Sequence, residues 1–187
     1  MNIVLLGIQG SGKGTQAKIM AKKYNMIIFE AGGECRHLAE EDTELGHKVK
    51  TIVNSGNLVP SNVIMEILDN FLSKTPAEQK IIFDGIPRSP DQKIDFDNVL
   101  QKWHRDFIVM QIQLPKDETI KRLLTRGRHD DTQEIITNRH NIFLNDTTPV
   151  IETYRSKDKL IAINGHQSIE QVAEEIALKL DPYFLKQ

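Results

Sequence analysis

The sequence predicts an α/β fold in which a five-stranded parallel sheet carries helices on both faces. Three observations lead there. Short apolar runs rich in Ile, Val and Leu recur along the chain, each too short for a helix and without polar alternation. Stretches with apolar residues at helical spacing separate them. Glycine, proline and charged residues gather where the runs end. Strands and helices in alternation, with strands apolar throughout, mark a parallel sheet covered on both sides.

The first strand, Ile3 to Leu6, enters a glycine loop at Gly7 that runs through Gly10-Ser11-Gly12-Lys13-Gly14-Thr15. A helical pattern follows at once, with Ala17, Ile19, Met20, Ala21 and Tyr24 among lysines. Strand, glycine loop and helix in that order make a phosphate cradle, the signature of the P-loop NTPase fold. Backbone N–H groups and the helix N-terminus attract anionic oxygens, and Lys13 adds a full charge within reach of β- and γ-phosphates. Thr15 offers a hydroxyl to a magnesium shell. The usual pattern has Ser or Thr directly after the lysine; here Gly14 intervenes, which points to one branch of the P-loop kinases.

Met26 to Phe29 reads as a second strand. Gly32 and Gly33 then open a turn before helical spacing resumes at Cys35, Leu38 and Ala39. Leu45, Val49, Ile52 and Val53 mark another helix, stopped at Ser55-Gly56. After a loop at Asn57, Leu58, Val59 and Pro60, Ser61 is the expected N-cap of a helix carrying Ile64, Ile67, Leu68 and Phe71. Lys80 to Asp84 is a third strand, broken by Gly85-Ile86-Pro87-Arg88. A helix spans Asp91 to Lys102, a fourth strand Phe107 to Leu114, and a helix Asp117 to Arg126. Helices are expected at about 132–144 and 147–157, the second capped by Asp146 or Thr147. Lys159 to Asn164 is the last strand, and Ser168 caps a final helix.

Composition narrows the function classes. The net charge of −2 over 187 residues supplies no cationic field for nucleic acid or an acidic membrane surface. A single cysteine, Cys35, excludes an internal disulfide and a cysteine-rich zinc site. No apolar stretch approaches a bilayer span, and the phosphate loop begins where a leader would stand, so a cytoplasmic protein is expected. The six histidines show no metal-site spacing and are read as surface residues, with Trp103 and Cys35 structural.

Ligands of parallel sheets bind beyond the C-terminal strand ends. Those ends hold Gly7 to Thr15, Glu30 to Arg36 and Asp84 to Arg88. Phosphoryl transfer between two nucleotides needs several cations in one cleft, and Arg36, Arg88, Arg122, Arg126, Arg128 and Arg139 are the candidates. Singly, each is also what an ordinary solvated arginine looks like, and Asp130 and Asp131 could simply neutralise the cluster. Asp84 suits a hold on magnesium-bound water, or equally a cap on the next turn.

Together the glycine loop, Asp84-Gly85-Ile86-Pro87-Arg88, and Arg128-His129-Asp130-Asp131 followed by Arg139 resemble the adenylate kinase family, over almost the whole chain. The resemblance implies γ-phosphoryl transfer from MgATP to AMP by a monomer, without zinc. It implies one kinase domain with a monophosphate-binding insertion at about 30–59 and a minimal lid at about 126–132. Gly10, Ser11, Gly12, Lys13, Gly14 and Thr15 would hold ATP phosphates, with Arg122, Arg126 and Gln167 also on ATP. Ala31, Arg36, Asn57, Leu58, Val59, Gly85, Ile86, Pro87, Arg88 and Gln92 would surround AMP. Arg128 and Arg139 would span both phosphate chains, making Lys13, Arg88, Arg128 and Arg139 the catalytic group. Thr15, and Asp84 through water, would serve magnesium.

The base markers differ. Gln92 stands where adenylate kinases place the glutamine that reads adenine, and its amide can donate and accept together. Ala31 stands where adenylate kinases usually have threonine and UMP/CMP kinases alanine. Gln92 favours AMP; a UMP/CMP-type or other monophosphate kinase, or a non-catalytic nucleotide-binding scaffold, is the alternative. Gly33 replaces the family's usual aspartate, so weaker magnesium affinity is expected, and Gln9 replaces the usual loop proline. Only Gly127 separates Arg126 from Arg128, so the lid is short.

Overall fold

The computed structural model describes residues 1–127 and 131–184. Five parallel strands, β1 (Asn2–Leu6), β2 (Ile27–Glu30), β3 (Ile81–Asp84), β4 (Phe107–Gln113) and β5 (Leu160–Asn164), lie in the order β2-β3-β1-β4-β5. Central β1 and β3 are buried along their whole length, which is why they read as unbroken apolar runs. Side chains alternate between two layers of core. Val4, Leu6 and Phe83 face one layer; Ile3, Leu5 and Ile82 face the other.

The second layer is covered by α1 (Lys13–Tyr24) and α9 (Ile169–Phe184) through Ala17, Met20, Val172, Ile176 and Leu180. The first is covered by α4 (Ser61–Ser73), α5 (Pro90–Lys102) and α8 (Thr148–Arg155). There Leu68, Leu72, Phe96, Leu100, Val150 and Tyr154 pack on Phe29 and Phe83. Helices α2 (Ala31–Leu38) and α3 (Glu44–Asn54) stand between β2 and α4 and join the same core through Cys35 and Val49. Helix α6 (Lys116–Arg126) follows β4 and ends at Gly127 in the left-handed region (φ 63°). Helix α7 (Gln133–Ile142) follows, capped by the Thr132 side chain. Among the described residues no helix is long and apolar enough to cross a membrane.

Four local expectations are corrected. The glycines after β2 do not form a turn: α2 begins at Ala31 and contains both. Ser61 does not cap α4; Pro60 occupies that position, and the Ser61 hydroxyl donates instead to Asp95 at 2.6 Å. Thr147 stands at the N-cap position of α8 as expected, but its side chain makes no capping hydrogen bond. A π turn over Phe143–Thr147 carries α7 directly into α8, and the Thr147 hydroxyl donates to the Arg88 carbonyl at 2.8 Å. Ser168 does cap α9, accepting from Gln171 N while its own N–H donates to the Gln171 side chain. His140 is not a surface residue: it is buried, and burial lowers its pKa, with Lys116 acting in the same direction.

Candidate active site

The loop after β1 is seated against two neighbours. A Cβ on Gly7 would lie 2.6 Å from the Ile112 carbonyl of β4, so only glycine lets the loop leave the strand there. Gly12 has φ 96°, which turns the chain into α1 and brings Thr15 N and Gln16 N onto its carbonyl. Gly14 and Thr15 are exposed on the first turn of α1. Ser11 is buried, and its backbone N–H donates to the Ile8 carbonyl at 3.1 Å, tightening the loop.

Lys13 folds back over the loop, donating to the carbonyls of Gly7 (2.8 Å) and Ile8 (3.0 Å). Burial pulls its pKa down to about 8; Asp84 opposes that shift, and the cations Arg88 and Arg126 add to it. Anionic phosphates stabilise the charged amine, so nucleotide binding raises this pKa. Below pH 8 the amine is already charged and affinity is steady; above it the free protein must take up a proton to bind. ATP affinity is therefore expected to fall as pH rises through about 8. Calorimetry in buffers of different ionisation heat checks this: uptake near zero at pH 7 and approaching one proton at pH 9 is expected, and none at pH 9 refutes it.

Asp84 ends β3 in the Glu30–Asp84 and Leu5–Asp84 registers. It is 6% exposed, and burial raises its pKa while Lys13 and Arg88 pull it back. Its Oδ2 faces the first turn of α1, 3.7 Å from where a Cβ on Gly14 would be. It caps no turn. A carboxylate oxygen facing Gly14, one residue before Thr15, is a hard donor of the kind that suits a magnesium ion carried by nucleotide phosphates.

On the other side of Lys13 lies a cavity lined by Ala31, Arg36, Asn57, Leu58, Val59, Gly85, Ile86, Arg88, Gln92 and Arg139. Every residue assigned to the acceptor from sequence is there except Pro87, which is buried beside it after a cis Ile86–Pro87 bond. Arg128 lies outside the described residues. A second cavity contains Gly7 and Lys13 and shares Arg88, Gly85, Gly56 and Arg139 with the first, so phosphate loop and acceptor pocket form one cleft.

Arg88 is held by the protein itself. Its Nε donates to the Gly85 carbonyl and its backbone N–H to Gln92 Oε1 at 2.9 Å. Burial lowers its pKa, with Asp84 opposing. Gln92 Nε2 donates to the Val59 carbonyl at 3.2 Å, so that amide ties the Arg88 turn to the 57–59 loop. Arg36 Nη1 and Arg88 Nη2 converge over Gly32, 3.2 and 3.6 Å from the point its Cβ would occupy. Asn138 on α7 donates to the Ser55 carbonyl (2.9 Å) and to Asn57 Oδ1 (3.0 Å), bringing the insertion against the helix that carries Arg139.

The remaining donor-side candidates are spread along the rim. Arg122 pairs with Glu118 and reaches the Gly165 carbonyl at 3.4 Å. Gln167 uses its side chain on Asn164 and Glu175, leaving its backbone for contact. Arg126 is clamped in two hydrogen bonds (2.8 and 2.6 Å) by Asp131, whose side chain is fully buried. Sequence reasoning gave Asp131 only a neutralising part; a bidentate clamp five residues away has no periodic signature. It placed Gln9 and Glu30 at ligand-binding strand ends without giving either a contact, and read Gly56 only as a helix stop; Gln9 and Gly56 line both cavities, and Glu30 hydrogen-bonds Arg36.

Comparison with known proteins agrees with this geometry. The family model for adenylate kinase matches residues 5–159. Adenylate kinase 1 of a Nostoc species is 37% identical over 179 residues, covering 95% of this chain and 97% of its own. The adenylate kinase of Azobacteroides pseudotrichonymphae is 36% identical, covering 98% and 99%. That of Mycobacterium leprae is 36% identical, covering 88% and 92%. With a phosphate loop, a neighbouring arginine-lined pocket and relatives matched nearly end to end, the chain belongs to the adenylate kinase family.

Proposed function

We propose that the protein catalyses reversible phosphoryl transfer from MgATP to AMP, giving two ADP. The observation that carries this is the cavity lined by Lys13 together with Gly85, Arg88 and Arg139, the last three of which also line the acceptor pocket. An AMP phosphate oxygen attacks the γ-phosphorus of ATP, the bond to the β,γ-bridging oxygen breaks, and ADP leaves. The phosphate loop and Lys13 hold the donor, with Arg122, Arg126 and the Gln167 backbone along its length. Arg36 and Arg88 hold the acceptor phosphate; Arg128 and Arg139 neutralise the transferring group. Thr15, and Asp84 through water, would hold the magnesium that comes with ATP, which would offset the charge of the β- and γ-phosphates. Gly33 adds no carboxylate, which is the ground for weaker magnesium affinity.

Residues at about 30–59 would form the acceptor insertion, and those at about 126–132, of which 128–130 lie outside the described residues, the minimal lid, with closure depending on Arg126, Arg128 and Arg139 more than on packing. The partners are the two nucleotides alone, and the protein acts as a cytoplasmic monomer. Gln92 favours AMP. Ala31, a lining residue without a hydroxyl, favours a pyrimidine monophosphate instead. An ATP-coupled assay across AMP, CMP, UMP, GMP and their deoxy forms separates these. AMP is expected to give the highest kcat/KM; a higher value with UMP or CMP refutes the base assignment.

A further inference from the structure

Glu30 has no part in the scheme above. It is the last residue of β2, in register with Asp84 on β3. Its carboxylate accepts a charge-assisted hydrogen bond from Arg36 Nη2 at 2.8 Å. The opposite nitrogen of Arg36, Nη1, is the one that converges with Arg88 over Gly32. Glu30 thus holds the guanidinium from behind while its other edge faces the acceptor cavity.

Gly33 makes room for this arrangement. A Cβ at position 33 would lie 3.3 Å from both the carboxyl carbon and Oε2 of Glu30. That is tighter than ordinary packing, so a side chain there pushes the carboxylate away. The two positions form one device: an acid at the strand end, and a bare backbone one turn on.

We propose that Glu30, seated by Gly33, is a positioning residue that orients Arg36 toward the acceptor phosphate. This rests on the assignment of Arg36 to that phosphate. The sign of the effect is informative. Glu30 is an anion near an anion site, so by Coulomb's law alone its removal would improve acceptor binding. As a brace it orders a long side chain in advance, and its removal makes binding bear that ordering. Both side chains are partly solvated, at 29% and 50% exposure, which damps the repulsion while the direct hydrogen bond remains.

The test is AMP and ATP affinity by calorimetry on the full chain, with melting temperature alongside, for Arg36→Ala, Glu30→Ala, Glu30→Gln, Gly33→Val and the Glu30→Ala/Gly33→Val double variant. Arg36→Ala should weaken AMP roughly tenfold or more and Glu30→Ala about fivefold, with ATP affinity unchanged. Glu30→Gln keeps an accepting oxygen and should recover most of the loss. Gly33→Val should resemble Glu30→Ala, and the double variant should be no weaker than either, because both break one contact. Unchanged or tighter AMP binding in Glu30→Ala, with Arg36→Ala impaired, overturns the positioning role. So does an equal loss of ATP affinity. Unchanged AMP binding in Arg36→Ala is a distinct result: it removes the acceptor assignment itself.

Discussion

Replacing Lys13 with alanine is expected to lower turnover at saturating nucleotide by about a thousandfold or more. The loop N–H groups supply partial charges, whereas Lys13 is the one full positive charge projecting from the loop itself. Burial lowers its pKa to about 8; Asp84 opposes that shift, and the cations Arg88 and Arg126 add to it. Charge builds on the phosphate oxygens during transfer, so the missing amine is felt most in the transition state. The fold should survive, because Lys13 belongs to neither core layer and Gly7, whose carbonyl the amine releases, lines the cleft. Steady-state and single-turnover rates, with circular dichroism as control, decide it. The alkaline decline near pH 8 should vanish with the amine. Turnover within tenfold of the parent would instead fit a nucleotide-binding scaffold whose loop does no chemistry.

Arg88→Lys should cost roughly a hundredfold or more in kcat/KM for the acceptor while leaving ATP affinity nearly unchanged. The charge is retained, so any loss measures geometry. Arg88 anchors Nε on the Gly85 carbonyl and turns Nη2 toward Gly32 and Arg36, a division of labour that needs a planar fork. A lysine ammonium is a single point charge and cannot hold the turn and the phosphate together. The measurement is acceptor saturation at fixed high ATP; recovery to within fivefold would mean that charge alone suffices at this position.

Legibility from sequence followed physical range. The buried strands were readable because both faces of the sheet are covered, which makes β1 and β3 apolar throughout. The order in which strands lie side by side was not, since β1 sits between β3 and β4 through contacts distant in sequence. The loop lysine and the Asp84–Arg88 turn were found because strand ends and glycines announce them locally. Gly32 and Gly33 misled: glycine is a poor helix former, yet α2 includes both, because guanidinium groups crowd one and the Glu30 carboxyl the other. Thr147 read as a cap because threonine caps helices elsewhere; its hydroxyl instead meets the Arg88 carbonyl, 59 positions earlier in sequence. Glu30 and Asp131 are single acids whose partners become visible only in three dimensions.

The Gln92 amide carries a constraint on how the protein could change its substrate. Its oxygen accepts from the backbone N–H of Arg88, and its nitrogen donates to the Val59 carbonyl of the cavity wall. On the proposed assignments, base preference and phosphate grip would be fastened to one side chain. A substitution that retargets the base strands an N–H and a carbonyl unless something else meets them. Drift toward a new acceptor is easiest through neighbours such as Ala31, which border the same space without bracing it.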